Sequence, residues 1–253
     1  MDGEFADRLA VVTGASSGIG LALTTQLLQQ GARVLGMARH VLGLQALQQS
    51  YPQRLLVQAG DVTRSADLEA LRQRAVALGG VDYLAACAGN AELAGSLDHA
   101  AFERQWAVNG AGALNTLAVL RGALSSRSSV VFLGSFLRQA SVPGLAAHGA
   151  VKAALTTQVR SLAAEFAALG VRINLVSPGP TATALWDGLG LCEHELEQIA
   201  DNLGRRLLTG HFLDAAAVAR VIAFQLSEGA RGVYGQDWVV DNGYSLTAWQ
   251  RPQ

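Results

Sequence analysis

Lysine is almost missing from this chain. Lys152 is the only one in 253 residues, and every other fixed cation among the 19 Lys and Arg side chains is arginine. Cysteine is scarce as well. Cys87 and Cys192 show no metal-type spacing, which argues against a disulfide framework and suits a reducing compartment. Charged residues make up only 15% of the chain and balance to a net charge of −1; they are scattered, leaving no footprint for nucleic acid or an anionic membrane. No apolar run reaches the roughly 20 residues that a spanning helix needs. Residues 1–8 carry three acids and run into a strand-like segment, unlike a signal peptide. The expectation is a cytoplasmic protein. His99, His194 and His211 share no ligand spacing, so no metal is expected.

Apolar side chains, by contrast, form half of the sequence, enough for one domain spanning 1–253 to bury a large core. Short β-branched runs at 9–13, 33–37, 55–58, 83–86, 130–133, 172–176 and 238–240 alternate with helical patterns near 19–30, 41–49, 65–78, 100–123, 148–168 and 214–227. This alternation predicts an α/β fold, a doubly wound parallel sheet of about seven strands with helices on both faces. It breaks only at about 181–213, where extra sequence precedes the last helix and strand. Ligands of open parallel sheets bind beyond the carboxyl ends of the strands, so this insertion is expected to cover the site as a lid.

The first predicted strand runs into Thr13-Gly14-Ala15-Ser16-Ser17-Gly18-Ile19-Gly20, and a helix follows. Glycines at such a turn let backbone approach a pyrophosphate, and the free N–H groups of the helix start attract its charge. Gly14, Ser16, Ser17, Gly18, Ile19 and Gly20 are therefore candidate dinucleotide ligands. After the second strand, where an acid would bind a ribose 2′-hydroxyl, the chain has Ala38-Arg39-His40. Arg39 suits a 2′-phosphate, which favours NADP(H) over NAD(H); the plainer reading is a solvated arginine. Asp61 and Val62 would face the adenine, although Asp61 could equally cap the next helix.

Together these residues resemble the short-chain dehydrogenase/reductase family over nearly the whole chain. Ala86-Cys87-Ala88-Gly89 stands where the family usually has Asn-Asn-Ala-Gly, Asn109 matches its helix asparagine, Ser135 its catalytic serine and Lys152 its catalytic lysine. Asn174, Pro178-Gly179 and Thr183 match its nicotinamide segment, and Val240-Asp241-Asn242-Gly243 its closing strand. The resemblance implies a cofactor site that includes Ala88, Gly89, Lys152, Pro178, Gly179, Thr181 and Thr183, catalysis by Asn109, Ser135 and Lys152, and dimers or tetramers built on the helices near 100–123 and 148–168.

One departure falls at the centre of the chemistry. Four residues before the lysine, the family has a tyrosine that gives its proton to the substrate oxygen, and this chain has His148. Tyr51, Tyr83, Tyr234 and Tyr244 have Leu55, Cys87, Trp238 and Ala248 four positions on, so no shift of register restores the pair. At i, i+4 the imidazole and the ammonium are neighbours, and like charge holds His148 below its usual pKa of about 6.5. Three readings stay open: carbonyl or alcohol chemistry with His148 as proton donor, conjugate reduction in which Ser135, His148 and Lys152 stabilise an enolate, or non-redox or non-catalytic cofactor binding. Leu185, Trp186, Leu189 and Leu191 in the insertion, with Phe136, Leu137 and Leu145 opposite, suggest an apolar or aromatic small molecule; simple core packing explains them equally well. Arg138 could meet a substrate carboxylate.

Overall fold

The computed structural model describes residues 4–246; residues 1–3 and 247–253, which include part of the acid-rich opening and Ala248, lie outside the described residues. Strands β1 (Leu9–Thr13), β2 (Arg33–Ala38), β3 (Leu55–Ala59), β4 (Val81–Ala86), β5 (Leu124–Leu133) and β6 (Arg172–Pro178) join β9 (Asp237–Val240) in one sheet of order β3-β2-β1-β4-β5-β6-β9. Every pairing in it is parallel. The winding direction reverses between β1 and β4, the place where open parallel sheets bind ligands. Ala88 N–H donates to Thr13 Oγ1 at 3.3 Å, linking the two strand ends at the reversal.

Helices cover both faces, as the alternating pattern predicts. On one face α3 (Ser65–Ala77), α5 (Ala113–Leu120) and α6 (Ala146–Ala167) pack against the sheet through Leu68, Leu71, Leu117, Leu155 and Val159. On the other, α1 (Gly18–Gln29) and α8 (Ala215–Leu226) do so through Leu23, Leu27, Val218 and Ile222, and the short α2 (Gln45–Ser50) follows Leu44 at the margin. Truncating a fully buried leucine such as Leu155 to alanine removes contacts worth about 2–5 kcal/mol.

The segment expected as one helix over 100–123 is divided. α4 (His99–Gln105), capped by Asp98 accepting from Ala101 N–H at 3.0 Å, leads into a π-helical turn at Trp106–Gly112 before α5. Asn109 lies inside that turn. Wider turns of this kind mark functional positions because they re-aim side chains without ending the helix. Close packing accompanies it: a Cβ on Gly110 would meet the Trp106 ring within 2.3 Å, and one on Gly112 would meet Val62 within 2.6 Å.

The insertion expected at 181–213 is present and has its own structure. It opens with β7 (Thr181–Ala182), carries α7 (Glu193–Gly204), and closes with β8 (Leu213–Asp214), which pairs parallel with β7 in a two-stranded ribbon. Trp186 Nε1 donates to Thr181 carbonyl oxygen at 2.8 Å, folding the excursion back on its own base. Its apolar side chains Leu203 and Leu207 cluster with Phe136 and Tyr244, and Trp186 and Phe212 pack at the edge.

Candidate active site

The glycine-rich turn supplies backbone space. Gly14 has φ +67°, and a Cβ there would come within 2.8 Å of the Ala88 backbone; a Cβ on Gly20 would come within 2.2 Å of the Gly14 carbonyl oxygen. Both positions are therefore restricted to glycine by contact, and Gly14 by conformation as well. Gly14, Ser16 and Ser17 line a groove with Ala38, Arg39, His40, Asp61, Val62, Ala88, Gly89 and Val108. Ile19, partly buried, packs on the core beneath α1. Thr183 sits over Gly18, 3.2 Å from where a Cβ would be.

Asp61 does not cap α3. Its carboxylate accepts from Thr63 N–H at 2.9 Å and Thr63 Oγ1 at 2.8 Å, an Asx turn, and the helix begins at Ser65. Burial alone would raise its pKa; the Thr63 bonds with Arg39 and Arg64 nearby outweigh that and hold it below the usual carboxylate range. Asn174 also has a different place. It is fully buried in the sheet, donating to Val233 carbonyl and accepting from Gln236 N–H, so it ties β6 to the entry of β9. Thr181 Oγ1 donates to the Gly179 carbonyl at 2.9 Å, and Gly179 N–H donates to Val240 carbonyl at 2.8 Å, which fixes the chain as it leaves β6 beyond Pro178.

At the other end, α6 carries its buried residues at 148, 151, 152, 155, 159, 163 and 166, one inward stripe of helical period. His148 and Lys152 share that stripe with the apolar core residues. Lys152 donates from Nζ to the Leu133 carbonyl at 2.7 Å. Burial lowers its pKa to about 8. Cys87 is close enough to feel this ammonium, yet burial pushes the thiol up to about 12, so it stays protonated. Ser135 caps a single turn at Phe136–Arg138, accepting from Leu137 N–H at 3.2 Å, and that turn packs on α6, where a Cβ on Gly149 would lie 3.0 Å from the Leu137 carbonyl. Arg138 pairs with Asp237, so its charge is already engaged.

His148 is held by residues that sequence reasoning did not single out. Its Nδ1 lies 3.1 Å from the Asn90 carbonyl oxygen and 3.2 Å from Gln105 Oε1. Asn109 completes the group: Oδ1 accepts from Asn90 N–H, and Nδ2 donates to the Asn90 carbonyl at 3.0 Å and to Gln105 Oε1 at 2.9 Å. Burial, then the Lys152 charge, depresses the His148 pKa to about 3 against a weaker opposing contribution from Asn90. The ring is neutral at pH 7. Among the described residues nothing bonds its Nε2. Gln105 could have been noticed as a polar residue one turn before Asn109 on the same helical face. Asn90, bonding largely through its backbone, gave no signal.

Ser135, His148, Lys152 and Asn109 are all at least nine-tenths buried. They follow the Gly89 end of the groove, where a Cβ on Gly89 would lie 2.7 Å from Asn109 Oδ1. Residues 14–245 match the family model described as enoyl-(acyl carrier protein) reductase. The chain belongs to the short-chain dehydrogenase/reductase family. It is similar to cis-4-hydroxycyclohexanecarboxylate dehydrogenase of Sinomonas cyclohexanicum, 32% identical over 97% of this chain and 99% of that protein. The 2,3-dihydro-2,3-dihydroxybenzoate dehydrogenase of Escherichia coli is 30% identical over 97% and 100%. Among solved structures, a short-chain dehydrogenase/reductase from Brucella melitensis described as a glucose/ribitol dehydrogenase superposes with TM-score 0.88 at 28% identity, covering 96% of this chain and 99% of that one. Members of the short-chain dehydrogenase/reductase family bind nicotinamide cofactors, and the glycine cradle at Gly14 and Gly20 fits one. No helix among the described residues is long and apolar enough to cross a membrane.

Proposed function

We propose that the chain is an NADP(H)-dependent oxidoreductase acting on a carbonyl or alcohol of a small apolar or aromatic molecule, with His148 in the seat usually held by tyrosine. One observation supports this reading most: His148 is anchored through Nδ1 while, among the described residues, nothing bonds Nε2, one helical turn from Lys152 and beside the Gly89 end of the groove. A neutral imidazole tethered at one nitrogen exchanges hydrogen bonds only through the other.

The residues present fit a bound dinucleotide. Gly14, Ser16, Ser17, Gly18, Ile19 and Gly20 would hold the pyrophosphate, Arg39 a 2′-phosphate, Asp61 and Val62 the adenine, Ala88, Gly89 and Lys152 the ribose, and Pro178, Gly179, Thr181 and Thr183 the nicotinamide. When bound, the cofactor supplies or takes up hydride. The protein orients the substrate oxygen with the Ser135 hydroxyl, exchanges a hydrogen bond at His148 Nε2, and stabilises developing negative charge with the Lys152 ammonium. Because these groups are buried, substrate entry requires residues 181–213 to move as a lid. The apolar cluster of Phe136, Leu203, Leu207 and Tyr244 supports an apolar or aromatic ligand. The reading includes a homodimer or homotetramer in the cytoplasm.

Oxidation of NADPH by purified protein across a panel of ketones and enones tests the proposal; binding without turnover on any acceptor would sink it. A second reading, conjugate reduction of an enone, draws on the depressed His148 pKa, since hydride addition to carbon leaves an enolate that water can protonate later. His148→Tyr separates the two: ketone reduction rises in a carbonyl pocket, whereas an unchanged enzyme giving product saturated at carbon supports the enolate route.

A further inference from the structure

Gln105 lies at the end of α4, fully buried, with its side-chain amide between Asn109 and the His148 ring. Asn109 cannot turn its own amide, because Oδ1 accepts from Asn90 N–H at 3.1 Å while Nδ2 donates to the Asn90 carbonyl and to the Asn90 side-chain oxygen, each at 3.0 Å. Gln105 can turn. With its oxygen toward the ring it accepts from Asn109 Nδ2 at 2.9 Å and from a proton on His148 Nδ1 at 3.2 Å. Turned by 180°, its nitrogen donates to a bare Nδ1 at 3.2 Å and to the Asn90 carbonyl at 3.1 Å, and its oxygen accepts from Glu92 N–H at 3.2 Å. Each orientation also has a conflict. The first sets Gln105 Oε1 against the Asn90 carbonyl at 3.1 Å and the Gln105 nitrogen against Glu92 N–H at 3.2 Å; the second sets the Gln105 nitrogen against the Asn109 nitrogen at 2.9 Å and the bare Nδ1 against the Asn90 carbonyl at 3.1 Å. Gains and conflicts of similar kind on both sides leave two arrangements of comparable energy.

We infer that Gln105 is a positioning residue that couples its amide orientation to the tautomer of His148, and so decides whether Nε2 faces the pocket as a lone pair or as an N–H. This deepens the hydride-transfer reading and rests on it for its meaning in catalysis. A proton on Nδ1 leaves Nε2 free to accept from an alcohol hydroxyl, the arrangement for oxidation. A proton on Nε2 lets the ring donate to a carbonyl oxygen, the arrangement for reduction. A tyrosine needs no such partner because one oxygen both donates and accepts.

Of the two groups that the described residues place against Nδ1, the Asn90 carbonyl and the Gln105 amide, only the amide can exchange a donor for an acceptor. Lys152 on the same helix supplies the charge that acts on His148, and the Cys87 thiol near Lys152 is neutral. From the loop after β4 come the Asn90 carbonyl and, past Gln105, the Glu92 carboxylate already paired with Arg104 of α4. Ser135, at the end of β5, is uncharged.

The test is nitrogen-15 NMR of histidine-labelled full-length protein without substrate or cofactor, with the His148 signals assigned by a His148→Asn variant, and with Gln105→Glu and Gln105→Met compared with the wild type. The wild type is expected to show both neutral tautomers. In Gln105→Met the Asn90 carbonyl alone selects Nδ1–H, and the Nε2–H population falls at least fivefold. In Gln105→Glu the same loss occurs and the ring's titration midpoint rises by at least one pH unit, a tenfold change in proton affinity; if that variant does not fold, the methionine variant decides alone. Equal tautomer ratios in wild type and Gln105→Met would overturn the inference. Because the readout needs no turnover, a tautomer shift in a protein inert toward every acceptor would remove the hydride-transfer reading and leave the coupling standing, while unchanged tautomers in an active enzyme would remove the coupling alone.

Discussion

The two ends of the candidate groove are built by different means. At the cofactor end the shape comes from backbone: Gly14 and Gly20 are defined by what a Cβ would strike, and the strand-to-helix turn presents main-chain groups. At the reaction end it comes from side chains buried in one another's company, with His148 held by Asn90, Gln105 and Asn109. Backbone sites announce themselves as glycine spacing. A side-chain cluster is assembled from three separate segments, and only folding brings those together.

Removing the ammonium gives the largest expected effect. Lys152→Ala should lower kcat/KM for NADPH-linked turnover by about 100-fold or more, while the variant still folds. A smaller loss would mean the reaction end does not depend on its buried cation. At the cofactor end, Gly20→Ala should weaken binding of both nicotinamide cofactors by more than about tenfold, read by fluorescence titration, because the added methyl would displace the turn itself. Arg39→Ala sharpens the contrast within that end: NADPH affinity should fall by about tenfold and NADH affinity should stay the same. Equal weakening of the two would remove the phosphate assignment.

Stability offers a measure that does not depend on turnover. His148 is held neutral, so between about pH 6.5 and pH 3 the unfolded chain takes up a proton that the folded chain refuses, and stability falls as pH falls through that window. The slope approaches about 1.4 kcal/mol per pH unit for this one group. Wild type and His148→Phe, compared in denaturant at pH 7 and pH 4.5, should diverge in this sense. For Lys152 the sign is the same, in a higher pH window. Its pKa is lowered, so burial of the charged form costs stability at neutral pH, and that cost is relieved as pH rises above about 8. Lys152→Met should therefore stabilise the unliganded protein at pH 7 by roughly 1–2 kcal/mol, after the lost bond to Leu133 is counted.

Most of the scaffold could be read in advance because its signals are local. Six of the seven expected strands begin within two residues of the observed ones. β5 differs: it starts at Leu124, since Ser125 and Ser128 satisfy polar groups at Asp82 and Val81 and let a hydrophilic stretch run on as strand. The break at Asn109 escaped because a π turn carries the chain on from α4 into α5 without ending the helix. At the site, Ser135, His148, Lys152 and Asn109 stood out by spacing and resemblance, whereas Gln105 matters through a neighbour 43 positions away, a distance that no helical or strand period encodes. The insertion was expected from the interruption in pattern, but of the wall residues Leu203, Leu207, Phe212 and Tyr244 none was foreseen, and Leu185, which was, is exposed.

The ribbon of β7 and β8 makes both ends of the excursion leave the body of the protein side by side, joined by their own backbone bonds. Whatever lies between positions 182 and 213 is thus a cassette on a closed clasp. It can lengthen, shorten or exchange its side chains with little disturbance to the sheet, and so evolution, or a protein engineer, can rework this segment while leaving the strands beneath untouched.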